Sequence, residues 1–399
     1  MTSPDPFADY DLFDPAFIAN PFAAMSEIRE SQCPVAHSDR WGGSWLPTRY
    51  EDIVAVAQDP SLFSSRQIFV VPPPPRDVSV GPYGALRTPP ITSDPPAHHQ
   101  QRRIILPTFA PHAIAKYEPT IRELCHALID GFVDRGEADA AEEYAKQIPV
   151  RVIAGVLGVP LDMADQFTSW VRGVVEVGLA DPKVRVENQT RIGEFFRGEM
   201  QDRRAMPRED DFITELVQTR LDGELVSDDF VLGVCNLMLL AGVDTTWSAI
   251  GSSLWHLAQF PAQRTQLREQ PDLWSTAIEE LLRVYAPVTM ARMVQRDSEF
   301  QGCPMQRGDR VILSFPAANR DPRQFSQPDQ VQLDREDNRH IAFGAGIHRC
   351  AGSNLARLEL RVALQTWLER IPEFQLIEPT SIGWLGPQVR GPRNCPVRF

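Results

Sequence analysis

The chain has 399 residues, with 53 Asp and Glu against 40 Lys and Arg, for a net charge of −13. That acidic balance argues against a nucleic-acid-binding protein. The six cysteines, at 33, 125, 235, 303, 350 and 395, show no paired spacing. They therefore suggest neither a zinc site nor an iron–sulfur cluster, and reduced thiols are the simpler reading. Met1 to Phe13 is acidic and proline-containing, unlike a basic-then-apolar signal segment. The longest apolar run, Val231 to Val243, contains Asn236, stops at Asp244 and is too short to span a bilayer. The expectation is a soluble, cytoplasmic protein with no membrane and no nucleic-acid partner.

In chain order, Pro21-Phe22 and Met25 to Ile28 open a first helix, and residues 46–65 read as short strands around a helix at Glu51–Asp59. Ser65 to Pro96 is dense in Pro and Gly, including Pro72 to Pro75, and cannot be regular helix. A loop of that length inside a compact domain is usually functional or mobile. Asp94-Pro95-Pro96 is a helix-entry signal. His98 and Arg102 follow, four apart on one face, where two cations suit a pair of carboxylates. Residues 115–220 are a run of helical patterns: 121–134, 140–158, 162–177, 184–203 and 211–219.

Ser227-Asp228-Asp229 caps a long helix running to about Gln259. Its middle reads Leu240-Ala241-Gly242-Val243-Asp244-Thr245-Thr246. An Asp and two Thr inside so apolar a stretch cost burial energy unless they have partners. Gly242, without Cβ, leaves room for a ligand against the helix. Thr245 can hydrogen-bond to the carbonyl four residues earlier and loosen the local ladder. Glu280 and Arg283, three apart, pair on a later helix that Pro287 stops.

The chain is organised around His340-Ile341-Ala342-Phe343-Gly344-Ala345-Gly346-Ile347-His348-Arg349-Cys350-Ala351-Gly352. Leu355, Leu358, Val362 and Trp367 then recur at helical spacing. Cys350 therefore sits at or near a helix N-terminus, where unpaired N–H groups and the dipole favour a thiolate. Gly344, Gly346 and Gly352 remove side chains around the sulfur, so something large and flat can approach. A thiolate with an open, amide-lined approach is what a haem iron needs as a proximal ligand.

The pattern Phe343-Gly344-x-Gly346-x-His348-x-Cys350-x-Gly352 resembles the haem-binding loop of the cytochrome P450 family. Four further motifs match in order over roughly residues 20–399: Asp94-Pro95-Pro96-x-His98-x-x-x-Arg102, Asp244-Thr245, Glu280-x-x-Arg283 with Arg335, and Asn319-Arg320-Asp321-Pro322-x-x-Phe325. The resemblance implies a mainly α fold with a small β region. Haem b (iron protoporphyrin IX) would lie between the long central helix and the cysteine-loop helix, in a single domain over 1–399 with no fused reductase. It implies Cys350 as the iron ligand and His98, Arg102, Arg292 and His348 as propionate partners. Phe343, Gly344 and Gly352 would shape the loop. Thr245 would hydrogen-bond the dioxygen being reduced, and Asp244 would relay protons to it from solvent. Glu280, Arg283 and Arg335 would hold the haem loop in place. Residues 165–205 would form a moving roof, and the tip at Val389 would enter the pocket.

Phe69, Leu240, Ala241, Val243, Val288, Met290 and Val389 then line the substrate pocket, with Val70, Val71 and Tyr83 also facing a ligand. A small neutral hydrophobic substrate is favoured over a charged acid, although Arg66, Arg76 and Arg87 in the long loop could reverse that. Residues 241–258 resemble a subgroup acting on small xenobiotics such as ethers and thiocarbamates. The implied reaction is hydroxylation, or O- or N-dealkylation, using dioxygen and two electrons from a ferredoxin and its reductase. These would dock at Arg102, Arg103 and Arg349. The rivals are a peroxide-driven or non-oxidative haem-thiolate enzyme and a non-catalytic haem sensor.

Overall fold

The structure, a computed structural model, describes residues 9–31, 33–73, 87–378 and 382–399. Pro74, Pro75, Arg76 and Tyr83 of the long loop lie outside the described residues. The described chain is mainly helical with a small β region. Its axis is the helix Asp228–Gln259, begun where the Ser227 hydroxyl accepts from Phe230 N. Almost every face of this central helix is apolar and buried. It packs on the helices Gln147–Leu157, Ala164–Val175 and Ser353–Arg370. By length and composition it could cross a bilayer, with mean hydropathy 1.5, yet 67% of its most apolar window is enclosed by protein. Burial inside a core explains that composition equally well.

The five predicted helices between 115 and 220 correspond to Glu118–Asp130, a π-type turn at Ala140–Ala145 continuing into Gln147–Leu157, Ala164–Val175, Pro182–Ala205 and Phe212–Gln218. A short strand at Glu137–Asp139 was not foreseen. It pairs with Pro396–Arg398 near the C-terminus, a contact no local pattern encodes. The main sheet has five strands in the order Val35–Ser38, Ser44–Pro47, Arg310–Ser314, Thr289–Val294 and Phe63–Ser64. Its strand Thr289–Val294 carries Met290 and Arg292 past the centre of the protein.

Two local expectations change. Asp94 does not cap the helix Ala97–Ile105 with its side chain; it accepts from Ser65 N at 2.9 Å and pairs with Arg66 at 3.5 Å. The carboxylate is thus used to pin the start of the long loop. Val70 and Val71 do not face a ligand but are buried in a cluster with Tyr10, Ile28, Leu46 and Ile312. The chain bends at residues 69–71, which turns Val70 and Val71 into that cluster while Phe69 lines the cavity. Among the cysteines, the sulfurs of Cys33 and Cys303 lie 3.4 Å apart, although 270 residues separate them.

Candidate active site

The cysteine loop is built by local hydrogen bonds and two backbone positions that suit glycine. Cys350 N donates to Phe343 O at 2.8 Å, Gly344 N to Ile341 O at 2.9 Å, and Ile341 N to the Asn319 side chain at 2.8 Å. Gly344 and Gly346 have φ of +74° and +70°, a region that disfavours any Cβ. A Cβ on Gly346 would also stand 2.5 Å from Ala57 O, at the end of the helix Tyr50–Gln58. Phe343 lies under the Arg357 guanidinium at 4.4 Å. The cysteine helix begins at Ser353, three residues past Cys350.

Behind the loop, two ionic networks tie it to the helix Trp274–Val284. Glu280 is fully buried and accepts from Arg283 twice at 2.8 Å, from Arg335 at 3.0 Å, from Asn338 at 3.1 Å and from Gln332 N at 2.8 Å. Arg283 also donates to the carbonyls of Asn319, Pro328 and Gln330. Such a pair is satisfied on every side, so removing one member leaves an uncompensated charge. The neighbouring Glu279, which sequence reasoning missed, accepts both arms of Arg357 at 2.6 and 2.7 Å and His340 Nε2 at 3.0 Å. Burial acting to raise its pKa is outweighed by these donors, and it falls to about 2.

In front of the loop lies a cavity of about 530 Å³. Cys350, Phe343, Gly344, His348 and Gly352 line one side, and Leu240, Ala241, Thr245 and Thr246 of the central helix line another. Phe69, Val288, Met290 and Val389 also line it. Val288 bridges to Val389, and Gln388 fastens the C-terminal tip by donating to Thr289 O at 2.8 Å and accepting from Val70 N at 3.0 Å. Val243 is a correction: it is fully buried and does not line the cavity, because its side of the helix faces the core. The space beside Gly242 is likewise not free for a ligand, since Ile153 fills it at 2.9 Å from where a Cβ would stand.

The Cys350 sulfur is open to this cavity. Its depth in the protein pushes the thiol above its ordinary range, against the pull of Gly352 N–H and of Arg102, Arg349 and Arg357. The loop and helix end do not by themselves make the thiolate that the sequence suggested, because desolvation outweighs them. Arg102 and Arg292 both line the cavity. Arg292 is buried, donates to Ala291 O at 2.8 Å and is lowered to about 10 by burial. Arg102 turns inward and donates to Arg349 O, so it adds no surface charge to a docking face. His98 does not reach the cavity. It stands one layer back, with its ring 4.3 Å from that of His348. Both rings are held neutral by burial, at about 4 for His98 and about 2 for His348. His98 Nδ1 and Nε2 and His348 Nε2 are buried without partners.

On the central helix, Thr245 Oγ1 donates to Ala241 O at 2.8 Å. Asp244 is buried on the far side of the helix from the cavity. Arg393 donates to it at 2.6 Å, and also to Glu176 at 3.2 Å and Ser248 at 3.1 Å. Burial raises Asp244 to about 6, with Arg393 opposing. Two polar groups on the cavity wall went unread in the sequence. Glu359, nine residues after Cys350, is raised to about 8 by burial and keeps one oxygen without a partner. Arg185, in an ordinary helical pattern, is the other.

This donor set fits a haem. There is one sulfur facing an apolar space, two arginines and a histidine edge available to carboxylates, and orphaned buried ring nitrogens that want partners. A family model described as Cytochrome P450 matches residues 183–380. The chain is 34% identical over 364 residues to the mycinamicin IV hydroxylase/epoxidase of Micromonospora griseorubida, covering 89% of each. It is 33% identical to the vitamin D(3) 25-hydroxylase of Pseudonocardia autotrophica, over 97% of this chain and 98% of that one. The solved structure of the polyketide synthase cytochrome P450 PksS of Bacillus subtilis 168 matches with a TM-score of 0.88 at 29% identity, covering 98% and 99%. The cavity between a cysteine loop and a threonine-bearing central helix, and relatives aligned over most of their length, lead to one conclusion: the chain belongs to the cytochrome P450 family and is a haem-thiolate monooxygenase by reaction class.

Proposed function

We propose that residues 1–399 form a single cytoplasmic domain that binds haem b and hydroxylates, or O- or N-dealkylates, a small molecule. The overall change is R–H + O2 + 2 e− + 2 H+ → R–OH + H2O, with electrons from a ferredoxin and its reductase. The observation that carries this reading is the Cys350 sulfur open to a cavity that Thr245 borders from the central helix. Bound there through Cys350, haem would supply the reductive activation of dioxygen.

The chain's own residues do the rest. Cys350 would ligate the iron as the thiolate, which the metal's charge would make favourable despite burial. Arg102, Arg292 and His348 would hold the propionates, with His98 packed behind His348. Phe343, Gly344 and Gly352 keep the approach to the sulfur flat. Thr245 has its hydroxyl at the cavity wall and can exchange its bond to Ala241 O for one to a ligand. Asp244 passes protons from the Arg393 side toward the cavity. Glu280, Arg283 and Arg335 fix the loop. Phe69, Leu240, Ala241, Val288, Met290 and Val389 offer apolar contact to substrate. The likeness of residues 241–258 to the ether- and thiocarbamate-oxidising subgroup supports a small body. Arg349 and Arg103 are exposed and offer the electron donor a positive face.

The test is the ferrous carbon monoxide spectrum of the purified protein. The native chain should show the red-shifted Soret band of a thiolate complex, and Cys350→Ser should lose that band and turnover together. A native spectrum without the band overturns the reading. Turnover driven by peroxide but not by NADH with ferredoxin and reductase would favour the peroxide-dependent alternative. An Arg349→Glu variant that is reduced at the native rate would remove the proposed docking face.

A further inference from the structure

The roof of the cavity holds a charge that meets no counter-charge among the described residues. Arg185 sits in the first turn of the helix Pro182–Ala205 and is 2% exposed. Its Nη2 donates to Pro72 O at 3.2 Å, and its guanidinium lies 5.5 Å from the Phe69 ring centre. Its Nε and Nη1 are buried with no partner among the described residues. No carboxylate among the described residues answers it. Asp181 is spent on the helix cap, accepting from Lys183 N at 2.9 Å, and Glu187 pairs with Arg191 at 2.6 Å on the outer face. Burial alone acts on Arg185, pushing its pKa below the ordinary arginine range. Arg203 and Arg283, also buried, are paired with Asp211 and Glu280, while buried Arg29 and Arg310 donate to two or three backbone carbonyls; Arg185 differs from these in facing the cavity with one carbonyl partner.

An isolated buried guanidinium costs several kcal/mol unless something pairs with it. Arg185 lines the cavity, so the missing partner can arrive as a ligand. Gln189, one turn further along the helix, also lines the cavity, and its amide has no partner among the described residues. Arg66 and Arg87 line the same cavity, and both are mostly exposed. Arg66 is paired with Asp94, and Arg87 adds positive potential along the way in. Phe69, Leu240, Val288 and Val389 give the cavity apolar wall as well.

Resting on the monooxygenase reading, we infer that the substrate is a carboxylic acid with an apolar body. Arg185 pairs with its carboxylate at the roof, Gln189 adds a second hydrogen bond, and the hydrocarbon end points to Cys350. A guanidinium presents a planar fork that matches a carboxylate. The preference for a neutral substrate, drawn from the apolar side chains alone, gives way because Arg185 lies in a stretch whose pattern says only helix.

The experiment is a spin-state titration of the ferric holoenzyme with matched pairs. Alkyl-substituted benzoates are set against their benzamides, and medium-chain fatty acids against their methyl esters. The acid of at least one pair should bind about 10- to 100-fold more tightly than its neutral twin, the worth of one or two charge-assisted hydrogen bonds. Arg185→Gln should abolish that preference while leaving the neutral twin's affinity and the carbon monoxide spectrum unchanged, and Arg185→Lys should restore part of it. Equal binding of acid and neutral twin in every pair overturns the proposal. So does an Arg185→Gln variant that weakens both alike, which would make Arg185 a clamp on the loop. A thiolate-type spectrum in the native protein keeps the family reading standing even if the acid preference fails.

Discussion

The Glu279→Gln variant tests how the cysteine loop is held. Glu279 carries the bidentate contact to Arg357 and the bond to His340, the residue that opens the loop. Its carboxyl falls from 4.5 to about 2 in the fold. At about 1.4 kcal/mol per pKa unit, that is roughly 3 kcal/mol of preference for the ionised form. Glu279 is 28% exposed, so solvent screens only part of it. The folded pKa is depressed, so this stability is fully present above the unfolded value and is lost as pH falls from 4.5 toward 2. Glutamine keeps the shape but turns one N–H2 toward the Arg357 or His340 donors. Urea unfolding of the holoenzyme at neutral pH should show Glu279→Gln less stable by about 3 kcal/mol, with the difference shrinking in acid below 4.5. The loosened loop should also lower the share of ferrous carbon monoxide complex with the red-shifted band. A variant within about 1 kcal/mol of the native protein at neutral pH, with the gap unchanged in acid, would refute the reasoning.

Two further outcomes follow from the geometry. Arg393→Gln removes the charge that opposes burial at Asp244, so its pKa should rise from about 6 by roughly a unit or more. Turnover that needs the Asp244 carboxylate falls as pH drops through the pKa, so the acidic limb of the pH–turnover profile should move to higher pH; an unmoved limb would separate Asp244 from proton delivery. Gly346→Ala places a Cβ at φ +70° and 2.5 Å from Ala57 O. It should destabilise the loop by more than the roughly 1–2 kcal/mol of the left-handed backbone alone, read as lower haem occupancy and earlier thermal unfolding. Native occupancy and unfolding would show that the loop can shift away from the helix Tyr50–Gln58.

Much of the site is legible in the sequence because its constraints are local. The cysteine loop packs glycines, an aromatic and the sulfur into ten residues, and its shape follows from φ values that only glycine takes easily. Thr245 bonds within its own helical turn, and Ser227 caps its own helix. The Glu280–Arg283 pair is three residues apart, and its role becomes visible only beside the loop motif. Helix periods and the stops at Pro and Gly placed the long elements to within a few residues.

Tertiary structure decided what faces what. Val243 and Leu240 are equally apolar, three apart on one helix, yet one meets the core and the other the cavity. Asp244 meets Arg393, 149 residues later, and Glu279 meets Arg357, 78 residues later. Arg185 has no signature at all; that no acid among the described residues meets it is a matter of three-dimensional packing. Hydrogen bonds within a turn are written in residue spacing, whereas burial and charge pairing depend on which distant elements the folded chain sets side by side. The glycine-shaped loop around the sulfur was therefore readable in advance, and the pairing of distant buried charges was not.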